Sequence, residues 1–120
     1  MKINLSGHSG LKLWMHTLTD TVRSKKADLT SRQLALLLHI YLKPQPHTVR
    51  GLAAALNVSK PVITRAVDTL ISLGLVKRTR DEIDKRNVLI QRTVKGAVYL
   101  TDFAETMERA NSHIGQPERA

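Results

Sequence analysis

The chain has no cysteine, only 3% aromatic residues among its 120, and no apolar run near the roughly 18 to 20 residues that a membrane-spanning helix needs. Without cysteine there is no disulfide, no thiolate zinc site and no thiol-based oxidation sensing, so packing alone must stabilise the fold. The opening residues MKINLSGHSG lack the apolar core of a secretory signal, so a cytoplasmic protein is expected. The five histidines, His8, His16, His39, His47 and His113, are scattered without the paired spacing of metal ligands, and neither a metal nor a cofactor is expected. No enzyme is expected either. Gly7-His8-Ser9-Gly10 lacks the preceding strand of a nucleophile elbow and reads as a flexible start with Ser9 capping a helix. Asp102, Glu105 and Glu108 share one helical face with no partner group for catalysis, and read as a solvent face.

What the chain does have is positive charge, a net +9, and it is concentrated. Residues 43–95 hold eleven basic side chains against Asp68, Asp81, Glu82 and Asp84. After Lys95 only Arg109 and Arg119 stand against four acids. A basic segment of this kind attracts a polyanion and releases counterions on binding.

The length fits one domain, and the apolar pattern makes it mainly α with a small β-hairpin. Leu11, Trp14, Met15, Leu18 and Val22 recur at three- and four-residue steps, which predicts a helix over 9–24. Thr30 and Gln33 form a capping box ahead of a second helix whose expected inner face is Leu34, Leu37, Leu38, Tyr41 and Leu42, ended by Pro44 and Pro46. Thr48 caps a short third helix with Leu52, Ala53 and Leu56 inward, and Asn57 suits the left-handed turn that follows. Ser59 is expected to cap a fourth helix over 60–73, with Pro61 in its first turn and Ile63, Ala66, Val67, Leu70 and Ile71 inward. Gly74 ends it. Runs 75–80 and 87–92 flank a polar stretch and predict a hairpin of two to three strands over 75–92, the second burying one face. Thr93 caps a fifth helix, over 94–110, through Val94, Ala97, Val98, Thr101, Ala104 and Met107, and residues 111–120 read as a flexible tail.

A short helix, a tight turn, a second helix and then a basic hairpin form a winged helix-turn-helix, which holds duplex DNA with one helix in the major groove and the wing toward the minor groove. Assigning the apolar stripe of the fourth helix to the core leaves Lys60, Pro61, Thr64, Arg65 and Asp68 on the opposite face. Lys60 and Arg65 suit guanine edges, Thr64 a base or a thymine methyl, and Pro61 an apolar contact. Thr48, Arg50 and Ser59, at helix amino ends, suit phosphates. Arg78, Lys85 and Arg86 of the wing complete the expected DNA contacts, with Lys85 and Arg86 near the tip, where arginine senses a narrow groove. Asp84 lies close to Arg86 and Arg78, and its expected role is structural: it orients an arginine by a paired hydrogen bond.

In this order, Leu52-Ala53, Val58-Ser59, Thr64-Arg65 and Gly74-Leu75-Val76, then Arg78, Asp81, Asp84, Lys85 and Arg86, then Thr93 and Gly96, resemble the MarR family of bacterial winged-helix transcription regulators. The resemblance implies a homodimer on an inverted repeat in double-stranded DNA, a regulator of repressor type associated with the nucleoid, and Thr64, Arg65 and Arg86 at the DNA. Residues 48–93 form the DNA-binding core of a single domain over 1–110. The helices over 9–24 and 94–110 are the candidate dimerisation elements, through Leu11, Trp14, Met15, Leu18, Phe103 and Met107, although Trp14 and Met15 equally fit a core. The sequence departs from the family in its short terminal helices, in Gly51 where a capping glutamate or glutamine would follow Thr48, and in Arg92 where an apolar residue often precedes the threonine. Short ends and few aromatics argue against a small-molecule effector. The alternative is a winged helix serving as an architectural or protein-interaction module without sequence readout.

Overall fold

The computed structural model describes residues 7–114, so most of the expected tail lies outside the described residues. Its elements run α1 (Ser9–Arg23), α2 (Ser31–Leu42), α3 (Val49–Leu56), α4 (Lys60–Ser72), β1 (Val76–Arg80), β2 (Val88–Arg92) and α5 (Val94–Ile114). Five helices and an antiparallel hairpin are the expected elements, with α5 continuing beyond residue 110. No helix among the described residues is long and apolar enough to cross a membrane. The described residues divide into two compact units, residues 29–99 and residues 7–28 with 100–114.

In the first of these units the helix boundaries follow from local chemistry. The Thr30 hydroxyl accepts from the Gln33 amide at 3.1 Å and the Gln33 side chain accepts from the Thr30 amide at 3.0 Å, closing the capping box that starts α2. Asn57 adopts the left-handed conformation (φ 54°, ψ 49°), and the Val58 and Asn57 amides return to the Ala53 and Ala54 carbonyls to stop α3. Gly74, at φ 77°, does the same for α4: the Leu75 amide donates to the Leu70 carbonyl and the Gly74 amide to that of Ile71. Two caps differ from expectation. Ser59 sits at the N-cap of α4 without a side-chain cap bond. Pro61, at the second helical position, has removed one of the two amides such a hydroxyl normally serves. Likewise His8 rather than Ser9 is the N-cap of α1, and it makes no side-chain cap bond.

The core of this unit is Leu36, Leu37 and Ile40 from α2, Leu52 and Ala53 from α3, Ile63, Val67 and Leu70 from α4, Leu75 and Val76 entering β1, and Ile90 from β2. Each large side chain here contributes roughly 1.5 to 3 kcal/mol by leaving water. The inner face of α2 is rotated from the expected one: Leu36 and Ile40 are fully buried, while Leu42 is 74% exposed. Tyr41 is half-buried because its hydroxyl is a junction, donating toward the Leu75 and Thr93 carbonyls and accepting from the Thr93 amide at 2.9 Å. The Thr93 hydroxyl donates to the Gly74 carbonyl and accepts from the Gly96 amide, capping α5. A β-carbon on Gly96 would overlap the Tyr41 hydroxyl and the Leu75 carbonyl oxygen. This close approach turns Gly96 inward. Tyr99, one turn on, is buried as well, leaving Val94 and Val98, expected inward, exposed.

Arg92, unexplained by sequence pattern, closes the carboxyl end of α2. Its guanidinium donates to the Ile40 carbonyl at 2.9 Å and the Lys43 carbonyl at 3.1 Å, and lies 5.8 Å from the centre of the Tyr41 ring. A cation there satisfies orphan carbonyls and complements the helix dipole. The hairpin pairs Val76 with Arg92 through Arg80 with Val88 in a two-stranded sheet, and an isolated bridge from Thr48 to Leu89 ties the chain entering α3 to β2.

The other unit contains α1 and the distal part of α5. Thr17 is fully buried and returns its hydroxyl to the Leu13 carbonyl. Trp14 meets Phe103 edge to face at 6.4 Å between centroids, and Lys26 pairs with Asp102 at 2.9 Å. Leu11, Trp14, Met15, Leu18 and Val22 occur at the helical spacing expected, yet all are exposed. Phe103 is buried within the unit and Met107 half-buried.

Candidate nucleic-acid interface

The helix-turn-helix is α3, the Asn57 turn and α4, and its outer surface is set by what the core does not use. With Ile63, Ala66, Val67 and Leu70 buried, Lys60, Pro61, Thr64, Arg65 and Asp68 all lie exposed on α4. Among the described residues Arg50, Lys60, Arg65 and Lys85 take part in no ion pair. These cations remain free for a polyanion. The Ser59 hydroxyl is exposed at the amino end of α4 and not used as a cap, which leaves it available to an anion there.

Thr48 is committed differently. Its hydroxyl accepts from the Gly51 amide at 3.0 Å and starts α3. A β-carbon at Gly51 would sit 3.2 Å from that oxygen, a tight fit that a glycine avoids. The carbonyl of neighbouring His47 accepts from the Ile90 amide, so the start of α3 is hydrogen-bonded to the wing.

Two carboxylates set the wing. Asp68, expected among the outward residues of α4, accepts from Arg78 of β1 at 2.6 Å, a bond between the proposed reading helix and the hairpin. Arg78 is thereby engaged within the protein. Asp84 receives Arg86 through both oxygens, Oδ1 from Nε at 3.1 Å and Oδ2 from Nη2 at 3.2 Å, and also takes the Arg86 amide at 3.1 Å. Asp81 accepts the Ile83 amide at 2.9 Å, and the Asn87 amide returns to the Asp84 carbonyl, so the loop is a series of small closed turns. Lys85 and Ile83, the latter 97% exposed, project from it. The Asp68 to Arg78 link and the Arg92 cap were not legible in the sequence, because no local spacing signals a pair joining separate elements.

The side chain of Arg86 and then its amide hold the Asp84 carboxyl below the ordinary value of 3.8. A carboxylate with a depressed folded pKa stabilises its arrangement above that ordinary value and loses the effect as pH falls through the lowered one. In a titration followed by carboxyl carbon NMR, Asp84 is therefore expected to protonate at lower pH than an unperturbed aspartate. In Arg86→Ala its midpoint should return toward 3.8. An Asp84 midpoint unchanged by Arg86→Ala would show that the pair does not form in solution.

A family model described as the MarR family matches residues 27–87. Among solved structures, a MepR variant from S. aureus aligns with a TM-score of 0.71 at 20% identity, over 92% of this chain and 75% of that one. A variant MarR from E. coli complexed with operator DNA aligns with a TM-score of 0.67 at 26% identity, over 88% and 69%. CouR from Rhodococcus jostii RHA1, bound to p-coumaroyl-CoA, aligns with a TM-score of 0.64 at 29% identity, over 94% and 78%. The matched segment spans α2 to the wing loop and covers just over half of the sequence, and on that ground the chain belongs to the MarR family of winged-helix transcription regulators.

Proposed function

We propose that this protein is a sequence-specific double-stranded DNA-binding repressor that acts as a homodimer on an inverted repeat. The observation that carries the reading is the exposed face of α4, where Lys60, Thr64 and Arg65 stand together without an acidic partner beside a wing bonded to the same helix through Asp68. In this reading α4 enters the major groove, with Arg65 and Lys60 toward guanine edges and Thr64 and Pro61 toward neighbouring bases. Ser59, Arg50 and Thr48 face phosphates, and Arg86, oriented by Asp84, follows the minor groove with Lys85. Arg78, bonded to Asp68, positions the wing and faces the phosphates with it. The E. coli MarR variant of 26% identity, whose structure includes operator DNA, supports the same use of the fold.

The exposed apolar stripe of α1 supports the dimer. A second copy would cover Leu11, Trp14, Met15 and Leu18, with Phe103 and Met107 beneath them, and set two recognition helices about 34 Å apart, one turn of DNA. Selection of bound sequences from a random duplex pool at about 150 mM salt, where non-specific phosphate binding is strongly screened, tests the proposal. An enriched inverted repeat is expected. Retention without enrichment would point instead to an architectural DNA binder, and no retention to a protein partner.

A further inference from the structure

The amino end of α2 packs beside α4, and between them lies a depression of about 200 Å³ lined by Thr30, Arg32 and Gln33 on one wall and by Val62, Arg65 and Thr69 on the other. Two guanidinium-bearing side chains border one hollow, and among the described residues neither takes part in an ion pair. The other polar groups there are committed: Thr30 and Gln33 to the capping box, and the Thr69 hydroxyl to the Arg65 carbonyl. Nothing acidic lines the hollow. The Arg32 residue is exposed, and its side chain takes no part in the capping box that starts α2.

Given the DNA-binding reading above, on which this rests, we propose that Arg32 is a phosphate-binding residue that grips the DNA backbone beside the groove occupied by α4. The major groove is about 12 Å wide and a helix fills it. A helix packed on the flank of the reading helix has its axis roughly 8 to 10 Å away, which sets its near surface against the strand bordering the groove. A guanidinium there meets phosphate oxygens, for which its planar donors are well matched, and carries no base information. Arg65 shares the hollow and brings a second positive charge to the same stretch of backbone, while its position on α4 gives it a route to the bases. The footprint then extends beyond the helix-turn-helix and wing to the first turn of α2.

The test is Arg32→Ala on the duplex selected by the parent protein, with affinity measured across a salt series and against single-base variants of the site. One lost phosphate contact per subunit should make the slope of log K against log salt less steep by about 0.9 for each subunit bound, while the order of preference among base variants stays that of the parent. Arg32→Lys, which keeps the charge, should retain most of the slope. A slope in Arg32→Ala equal to the parent's overturns the inference and leaves the regulator reading intact. Loss of base preference in Arg32→Ala also overturns it, because that would make Arg32 a residue acting on the bases or through Arg65. A parent that enriches no duplex sinks the regulator reading itself, and this inference with it.

Discussion

Gly96→Ala is expected to destabilise the protein by about 3 kcal/mol, with a fall in Tm of roughly 10 to 15 °C in thermal unfolding followed by circular dichroism. The added methyl would meet the Tyr41 hydroxyl and the Leu75 carbonyl oxygen together. The carbonyl belongs to backbone that leaves the Gly74 turn and enters β1, so it has little room to retreat. The hydroxyl can move, but only by giving up the Thr93 amide and the two carbonyls it joins. Either relaxation leaves buried polar groups unpaired at about 1 to 3 kcal/mol in addition to the steric strain. Tyr41→Phe separates the two effects. It removes the hydroxyl while leaving the glycine, and should destabilise less than Gly96→Ala. Gly96→Ala in the Tyr41→Phe background should then cost less than in the parent, because the nearest clashing atom is gone while the Tyr41 ring carbon at 2.7 Å and the Leu75 oxygen remain. A Gly96→Ala protein as stable as the parent would mean that α5 does not approach β1 this closely.

The residues that proved legible in the sequence are those whose partners lie within one turn. Thr30 with Gln33, Asn57 at the end of α3, Gly74 at the end of α4 and Thr93 at the start of α5 each satisfy backbone groups three to five residues away, so residue type and spacing suffice to place them. The face of α2 was not legible for a physical reason. Its run LALLLHIYL is apolar almost all round, and the choice of Leu36 and Ile40 over Leu42 is made by α4 and the wing, which lie far along the chain. At the start of α5 Gly96 and Tyr99 face inward in place of Val94 and Val98 because Gly96 must meet Tyr41, a constraint from 55 residues earlier in the sequence. Ser59 shows the opposite failure: a favoured cap residue is present, but its neighbour Pro61 has taken away an amide it would serve. The outward face of α4 was readable because its inner face is unambiguous. Which of its members remain free was not, since Asp68 turns to Arg78 and only the fold brings them together.

That division within α4 gives the second large expected effect. Arg65→Ala should weaken binding to the selected duplex about 30-fold or more, since each bidentate arginine contact to a guanine is worth about 1 to 3 kcal/mol and a dimer carries two. It should also flatten the preference at one base position in each half-site, because a shortened side chain no longer distinguishes the base pair it faced. Arg65→Lys should recover some affinity and little preference, as a lysine restores the charge but not the two-pronged geometry. Arg86→Ala provides the contrast. Arg86 is already held by Asp84 through two side-chain hydrogen bonds, so in the proposed reading it would act on DNA by its position in the groove. Its loss should act at positions where groove width varies with sequence, while the base facing Arg65 is read as before. If instead Arg65→Ala and Arg86→Ala each lowered affinity equally for every duplex, both arginines would be acting as plain charges. The free face of α4 would then be a phosphate surface, and the protein an architectural binder.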